Sequence, residues 1–305
     1  MLRAAQVAVG AVAAGALVVL AVRAGRRQQA AERAAFLKSH IDSLLRFYVP
    51  IVRDPQGGYN NQLRDDGTVY DASTKHVVGT CRFIVNFALV SRMHRESTAT
   101  REVAMSNMTR DFSAHGIRFL LERHADPKPA NGFTWVLDGA NVADGCKYCY
   151  SVAFSLLALA NAHLAGIPDL LGPLHDVLQL AESRYYESQH GLYIDSFNRE
   201  LTTPSTYRGQ NANMHMCEAL IAVYEATRTL HHLHRAAEIA RRLTVDLADR
   251  SGWVVEHYTP EWVADPSKNA DATAGSEEYI FRPPGFQPGH AVEWAKLLVL
   301  LERHV

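Results

Sequence analysis

The chain has 305 residues, of which 48% are hydrophobic and 21% are charged, as expected for a folded protein of one or two domains. Its formal net charge of −1 gives no general electrostatic attraction to nucleic acid. Four cysteines are too few for a disulfide scaffold, and the one CxxC motif, Cys146-Lys-Tyr-Cys149, has no second pair to complete a zinc site. We therefore expect reduced, mostly buried cysteines.

The N-terminus differs from the rest of the chain. Residues 4–22 carry no charge, and arginines flank them at position 3 and at positions 23, 26 and 27. This is about the length that spans a bilayer. The sequence therefore predicts a hydrophobic anchor or leader over 1–28 and one domain over 29–305. Retention of the anchor would place the body on the cytoplasmic side, whereas cleavage of a leader would leave a soluble body.

Helical periodicity dominates from about residue 30. It predicts eight helices, at 30–52, 73–94, 99–124, 145–166, 169–187, 209–230, 232–250 and 286–304. Short runs with β propensity occur only in the long loops, at 68–70, 133–138, 192–197 and 253–258. The sequence therefore predicts an all-α fold.

Every second connection is long and carries the same element, a glycine followed within two residues by an aromatic. The four copies are Gly58-Tyr59, Gly132-Phe133, Gly191-Leu192-Tyr193 and Gly252-Trp253. Repeated helix pairs of this kind are typical of a solenoid or of a closed α/α toroid. In a toroid the even helices form the inner ring, and the long loops cover their N-termini, where free N–H groups favour polar ligands.

Two of the predicted inner helices begin with a histidine followed three residues later by a glutamate. These pairs are His215 with Glu218, and His290 with Glu293. Histidine transfers protons near neutral pH, so the pairs suit proton abstraction next to a carbonyl. The alternatives are hydrogen-bonded core histidines and a metal site, but no further cluster of ligands accompanies them. We therefore expect no metal.

Other polar and aromatic side chains are predicted to line the same mouth. Arg82 lies on the second helix and Tyr150 on the fourth. The loop aromatics are candidate stacking platforms for sugar rings: Tyr59, Phe133, Trp135, Tyr193, Trp253 and Trp262. These residue types around two histidines favour isomerase or epimerase chemistry on a sugar.

The chain also resembles the N-acylglucosamine 2-epimerase family, which includes mannose isomerase-like enzymes and cellobiose 2-epimerases. The resemblance rests on short elements in the family's order: Gly58-Tyr59, Lys75 to Arg82, Tyr150 with Ala153-Phe154, Asn213-Met214-His215 with Glu218, and Pro288-Gly289-His290 with Glu293. It implies an (α/α)6 barrel, a mechanism without a cofactor, and proton transfer at C2 of an open-chain sugar.

By this resemblance His290 is a proton-shuttling histidine, and His215 assists ring opening and substrate positioning. The implied substrate-binding residues are Arg82, Tyr150, Asn213, Glu218, Glu293 and Trp135. The sequence departs from the family in two places. Val152 stands where the family often has a histidine, and a third histidine of the family would lie beyond Val305.

We therefore expect an isomerase or 2-epimerase acting at C2 of a mannose-like aldose or an N-acylhexosamine through an enediolate. Isomerisation needs only one base on one face, whereas epimerisation needs a second. One alternative is an inactive or truncated family member that serves as a binding module. Another is an α/α-barrel glycoside hydrolase, with Asp66, Asp144, Glu277 and Glu278 as candidate carboxylates.

About four of the barrel's six helix pairs are present in the sequence, so we expect an incomplete ring with Val305 at a cut edge. An open ring exposes the flanks of its end helices, which makes a homodimer a candidate assembly.

Overall fold

The structure, a computed structural model, describes residues 2–127, 131–276, 279–280 and 282–304. For residues 2–22 and Ala24 it describes the backbone. The chain divides into two compact units. One comprises Met1–Val52 with Asp65–Thr68, and the other comprises Arg53–Arg64 with Val69–Val305.

The first unit contains helix α1, Leu2–Tyr48, and a turn in which Asp66 Oδ1 accepts hydrogen bonds from the Thr68 N–H and hydroxyl. The predicted anchor, residues 4–22, and the predicted boundary at residue 28 both fall within α1. Among the residues that the structure describes, no helix combines the length and the hydropathy needed to cross a bilayer.

Seven helices of the second unit have both ends within the described residues, and they confirm the predicted ones to within a few residues. They are α2 Val77–His94, α3 Thr100–Phe119, α4 Cys149–Leu164, α5 Leu171–Leu180, α6 Gln210–Thr227, α7 Leu230–Arg241 and α8 Pro288–Glu302. Helices α3, α5 and α7 each continue into one π-helical turn, at Leu120–His124, Ala181–Tyr185 and Arg242–Asp246. The shared ending supports the predicted repeat.

Helices α2, α4, α6 and α8 pack side by side in chain order, and α3, α5 and α7 each pack against the helix that precedes them. Helix α4 is buried along nearly its whole length, because it is apolar on almost every face. Helix α7 instead buries one stripe, formed by Leu233, Ala236, Ile239 and Ala240. The even helices are thus the inner layer and the odd helices the outer layer, as predicted.

Short strands join the loop of each repeat to the next. The strands are β1 Gln62–Leu63, β2 Val69–Asp71, β3 Thr74–His76, β4 Val136–Asp138, β5 Asn141–Asp144, β6 Lys147–Tyr148, β7 Tyr186–Glu187, β8 Leu192–Tyr193, β9 Ser196–Phe197, β10 Arg208–Gly209 and β11 His257–Tyr258. The strand before α2 pairs with β4, the strand before α4 pairs with β9, and the strand before α6 pairs with β11. Each pairing fixes a loop beside the N-terminus of an inner helix.

The four repeated glycines all adopt positive φ, between 69° and 81°, which permits a tight turn in each long loop. The aromatic that follows is directed into the core in three of the four copies. Tyr59, Phe133 and Tyr193 are fully buried, and the Tyr59 hydroxyl donates to the Phe112 carbonyl at 2.7 Å. Their predicted role as sugar-stacking platforms is therefore wrong.

A buried cation lies two residues before each of α2, α4 and α6, and each is paired with an acidic residue of the long loop that leads to that helix. The ion pairs are Lys75–Asp54 at 2.7 Å, Lys147–Asp126 at 2.8 Å and Arg208–Glu187 at 2.8 Å. A buried charge is stable only beside its partner, so these pairs fix where each loop meets its inner helix.

The Lys147–Asp126 pair allows a direct test, because only 1% of the Lys147 side chain is exposed. We expect Asp126→Asn to lower the free energy of unfolding by about 3 kcal/mol, since the buried Lys147 ammonium loses the carboxylate that it pairs with. Asp111→Asn breaks an exposed pair with Arg53 and should cost less than about 1 kcal/mol. Urea denaturation of both variants measures the difference, and equal costs would contradict the role assigned to the buried pair.

Candidate active site

The N-terminal halves of the four inner helices bring together the ionisable residues that the sequence singled out. An Arg82 guanidinium nitrogen on α2 lies 3.3 Å from the Tyr150 hydroxyl on α4. The Tyr150 ring centroid lies 5.0 Å from that of His215 on α6, and His215 Nε2 lies 3.7 Å from a carboxylate oxygen of Glu293 on α8. The predicted residues Arg82, Tyr150, His215 and Glu293 therefore share one site.

Arg82 forms one wall of this site. Its guanidinium lies 4.7 Å from the centroid of the Phe154 ring, one turn after Tyr150, while the side chain remains open to solvent. Burial raises the pKa of the Tyr150 hydroxyl, and the charge of Arg82 and its hydrogen bond partly offset that rise. Tyr150 is thus a neutral donor at neutral pH, and Arg82 is a fixed positive charge for an anionic oxygen.

His215 is held from one side by Glu218. Its Nδ1 lies 3.1 Å from Glu218 Oε2, and the other oxygen of that carboxylate accepts from Lys296 of α8 at 2.5 Å. Burial alone would raise the pKa of Glu218, but the hydrogen bonds from His215 and Lys296 lower it to about 2. Glu218 is therefore ionised and orients the imidazole, so that Nε2 is directed towards Glu293. Sequence reasoning missed Lys296.

The partner of His290 is Glu256, a residue of the loop before α8. His290 Nδ1 lies 2.9 Å from Glu256 Oε2, and only 5% of the Glu256 side chain is exposed. The two predicted His-x-x-Glu pairs are therefore not equivalent. Glu218 pairs with its own histidine, whereas Glu293 reaches His215 on the neighbouring helix. Glu256 lies 34 residues before His290 in an irregular loop, so no local spacing indicated it.

Gln210, the first residue of α6, completes the surroundings of His290. The Trp294 indole N–H donates to Gln210 Oε1 at 2.8 Å, and Gln210 Nε2 donates to Glu256 Oε2 at 2.9 Å. Because an indole nitrogen only donates, Trp294 fixes which end of the amide is the oxygen. Gln210 Nε2 also lies 2.9 Å from His290 Nδ1.

Burial alone would lower the pKa of His290, but the hydrogen bond and charge of Glu256, together with the charge of Glu293, raise it above its ordinary value of 6.5. Among the described residues, none forms a hydrogen bond with His290 Nε2, and 24% of the side chain is exposed. His290 thus presents an accessible nitrogen while its other nitrogen is held.

Asn213 does not face this site. Its amide nitrogen donates to the carbonyls of Tyr193 and Gly209, and its oxygen accepts from the Tyr193 N–H at 2.8 Å. Asn213 is fully buried and ties β8 to α6, so its predicted role in substrate binding is not supported. Two residues along a helix point to nearly opposite sides, which separates Asn213 from His215.

Asn211 instead lies on the same face as His215, four residues earlier. Its side-chain oxygen is buried and has no hydrogen-bond partner among the described residues. A buried amide oxygen without a partner is costly, which makes Asn211 a candidate ligand residue. The four-residue spacing to His215 was the sequence signal that could have identified it.

Trp135 lies at the edge of the site. Its ring centroid is 4.3 Å from that of His76, 4.5 Å from that of Tyr148 and 6.2 Å from that of Tyr150. Burial lowers the pKa of His76 to about 4, so this histidine is neutral, and its Nδ1 accepts the Val78 N–H at the start of α2. Trp135 thus remains a candidate stacking residue.

The two other predicted platforms lie elsewhere in the loops. Trp262 is buried, with its indole N–H donating to Glu187 at 2.9 Å. Trp253 is half exposed, and its ring centroid lies 6.0 Å from that of Phe286. Neither forms a ring contact with the residues of the site among the contacts that the structure describes.

Of the four carboxylates proposed for a hydrolase, Asp66 and Asp144 lie in the described residues, and each accepts hydrogen bonds within its own loop. Asp144 accepts the Cys146 N–H at 2.8 Å, and Asp66 belongs to the turn of the first unit. Glu277 and Glu278 lie outside the described residues. Within the described ranges, no group of three or more His, Cys, Asp or Glu side chains is placed to hold a metal ion. The hydrolase alternative therefore gains no support.

All four cysteines are free, and Cys81, Cys149 and Cys217 are buried, as expected, whereas Cys146 is half-buried.

Residues 57–305 match the family model of N-acylglucosamine 2-epimerase. The chain belongs to this family. It is 39% identical to a D-mannose isomerase of Marinomonas mediterranea over 270 residues, which are 88% of this chain and 64% of that protein. A D-mannose isomerase of Thermobifida fusca is 36% identical over 189 residues, which are 62% of this chain and 46% of that protein. The chain thus spans less than two thirds of either relative.

Solved structures of the family share the fold. A crystal structure of D-mannose isomerase superposes with a TM-score of 0.80 at 38% identity, covering 88% of this chain and 66% of that one. The cellobiose 2-epimerase of Bacillus thermoamylovorans superposes with a TM-score of 0.64 at 19% identity, covering 86% of this chain and 64% of that one. The helix-rich second unit therefore has the α/α-hairpin arrangement of the family's toroid.

The two asparagines of α6 provide a matched test of the roles assigned above, a structural one for Asn213 and a ligand-binding one for Asn211. We expect Asn213→Ala to lower the free energy of unfolding by about 2 kcal/mol, because it leaves buried backbone groups without partners. Asn211→Ala should leave stability unchanged or increase it, because it removes a buried oxygen without a partner. Urea denaturation measures both, and a larger loss for Asn211→Ala would contradict the assignment.

Proposed function

We propose that this chain carries the aldose–ketose isomerase chemistry of its family, acting on a mannose-like aldose with His290 as the base. The observation that carries the proposal is the arrangement of His290, whose Nδ1 is held by buried Glu256 and whose Nε2 is accessible. The relatives at 39% and 36% identity are D-mannose isomerases, which supports this substrate class.

In the proposed reaction, neutral His290 removes the proton on C2 of the open-chain aldose through Nε2. The C2–H bond breaks and an N–H bond forms. The C2–H electron pair becomes the C1=C2 double bond, and the carbonyl π pair moves onto O1, giving an enediolate. The imidazolium then returns the proton to C1, while the hydroxyl proton on O2 moves to O1. The product is the ketose, and no electrons are gained or lost overall.

The neighbouring residues have distinct proposed roles. Arg82 stabilises the negative oxygen of the enediolate, because its guanidinium is permanently charged and stands beside the neutral Tyr150 hydroxyl. His215, oriented by Glu218, contacts the ring oxygen or O1 during ring opening. Asn211 accepts a hydrogen bond from a sugar hydroxyl, Glu293 binds hydroxyls at the open side of the site, and Trp135 stacks on the sugar.

A single base on one face is sufficient for isomerisation. Epimerisation at C2 needs the proton returned to the opposite face by a second base. The Nε2 of His290 has no hydrogen bond among the described residues, whereas the Nε2 of His215 lies 3.7 Å from a Glu293 carboxylate oxygen, and this difference supports His290 as the single base. We therefore propose the ketose as the main product. The predicted membrane attachment, cytoplasmic body and homodimer remain predictions.

Solvent exchange tests the proposal. The full chain incubated with mannose in D2O should form a ketose deuterated at C1 and return mannose deuterated at C2, as followed by NMR. His290→Asn should lower the rate of this exchange about 100-fold or more, because general-base catalysis contributes a factor of that size. His234→Asn, on the exposed side of α7, is the control and should exchange at the wild-type rate.

The outcomes separate clearly. Absence of exchange with mannose, glucose and N-acetylglucosamine would overturn the proposed function of this chain. Deuterated glucose as the main product would replace isomerisation with epimerisation. Exchange at the wild-type rate in His290→Asn would show that another group is the base.

Asn211→Ala tests the proposed sugar contact. We expect an increase of KM for mannose of about tenfold with a smaller change in kcat, because one hydrogen bond to the bound sugar is lost. The measurement is a steady-state assay of ketose formation beside Asn213→Ala, which should change stability more than KM. An unchanged KM for Asn211→Ala would exclude it as a substrate ligand.

A further inference from the structure

We infer that Glu256, Gln210 and Trp294 form a relay that sets the tautomer of His290 and keeps its Nε2 free as a base. The three residues come from three separate elements: the loop before α8, the first turn of α6, and α8 itself. The relay deepens the proposed function and rests on it for its catalytic consequence. Its effect on the imidazole can be measured without turnover.

The relay begins at Trp294, which is 2% exposed. Its indole N–H donates to Gln210 Oε1 at 2.8 Å and so turns the Gln210 NH2 group towards Glu256 and His290. Gln210 is fully buried, so its amide has no solvent with which to exchange partners. The orientation of this amide is therefore fixed by a donor that cannot become an acceptor.

The second step concerns the proton on His290 Nδ1. Glu256 Oε2 and Gln210 Nε2 both lie 2.9 Å from this nitrogen. If Nδ1 carried a lone pair, it would face an ionised carboxylate oxygen at hydrogen-bond distance with no proton between them, which is repulsive. If Nδ1 carries the proton, it donates to Glu256 Oε2, and Gln210 Nε2 donates to the same oxygen. The 2.9 Å between Gln210 Nε2 and Nδ1 is then a contact between two donors that share one acceptor, and the negative charge of that acceptor outweighs their repulsion. The neutral imidazole is therefore protonated on Nδ1 and bears its lone pair on Nε2.

Glu256 is itself anchored at the start of α8. Its Oε1 accepts the Gln287 N–H at 3.3 Å, and its backbone carbonyl accepts the Gln210 N–H at 3.1 Å. One carboxylate thus connects the N-termini of α6 and α8 and binds the histidine between them. Glu256 and Gln210 are positioning residues, since both act on the substrate only through His290.

Other charged groups surround His290 and bear on its titration. Glu293 lies on the same helix, and His215 with Glu218 and Lys296 occupies the adjoining faces of α6 and α8. His257 neighbours Glu256 in the loop, where burial lowers its pKa and its Nε2 donates to the Pro283 carbonyl. Among these groups, Glu256 is the carboxylate within hydrogen-bond distance of the His290 ring. Its removal should therefore have the largest effect on the pKa of His290.

The direct test uses Glu256→Gln in the full chain. A glutamine keeps an oxygen for the Gln287 N–H and presents an NH2 group to His290 Nδ1, so we expect the neutral tautomer to move its proton to Nε2. The pKa of His290 should fall, because burial, which lowers it, is no longer opposed by the carboxylate. Nitrogen-15 NMR of the labelled imidazole, assigned by its loss in His290→Asn, reports both tautomer and pKa.

Two further variants separate positioning from loss of structure. Glu256→Asp keeps the charge at a shorter reach and should retain the Nδ1–H tautomer in part. Glu225→Gln is the matched control, because it removes a carboxylate that pairs with His304 between the far ends of the same two helices. It should leave the nitrogen-15 shifts of His290 unchanged.

The catalytic consequence is measured in parallel. For Glu256→Gln we expect kcat/KM, or the rate of C2 deuterium exchange, to fall by about 100-fold. The acid limb of the pH profile should also move to lower pH. Unchanged nitrogen shifts and an unchanged His290 pKa in folded Glu256→Gln would overturn the relay. If Glu256→Gln changes the nitrogen-15 shifts and the pKa of His290 but the wild-type chain exchanges no sugar proton, the relay is supported and the proposed function is refuted.

Discussion

The buried ion pairs beneath the loops constrain the rest of the second unit. Lys75, Lys147 and Arg208 each lie two residues before an inner helix, and each binds an acidic residue of the long loop that leads to that helix. A buried cation cannot move away from its partner without losing several kcal/mol, so each loop is attached at the base of its own helix. The two-stranded pairings then connect that attachment to the next repeat. Without these fixed points, the long irregular loops would have no defined position.

This constraint explains why a loop residue can serve an inner helix. β11 is held against β10, and Glu256 stands immediately before β11. The carboxylate therefore arrives at the first turn of α6 and at His290 of α8 through backbone pairing of its neighbour. The helices supply the histidines, and the loop supplies the acid for one of them. A repeat built only from helices could present His290 but not the carboxylate that holds it.

The parts of this arrangement that follow local periodicity could be predicted from the sequence. The seven helices of the second unit, their inner and outer layers and the recurrent glycine turns all came from spacing, as did the association of His215 with Glu218. The loop aromatics were misjudged, because a β-prone run after a glycine does not reveal which way its side chain points, and Tyr59 and Phe133 are core residues. Glu256 could not be predicted, because its contact with His290 depends on strand pairing between distant loops. Asn211 and Asn213 could have been separated by helical phase alone.

The central claim is that His290 Nε2 faces the C1–C2 bond of an open-chain sugar while Glu256 holds Nδ1. A crystal structure of the chain with an open-chain hexitol tests this most directly. The account predicts that C1 or C2 of the hexitol lies about 3.5 Å from His290 Nε2, with the adjoining oxygen on Arg82 and the Glu256 contact intact. A hexitol bound elsewhere in the ring, or a His290 ring turned so that Nε2 contacts Glu256, would contradict it.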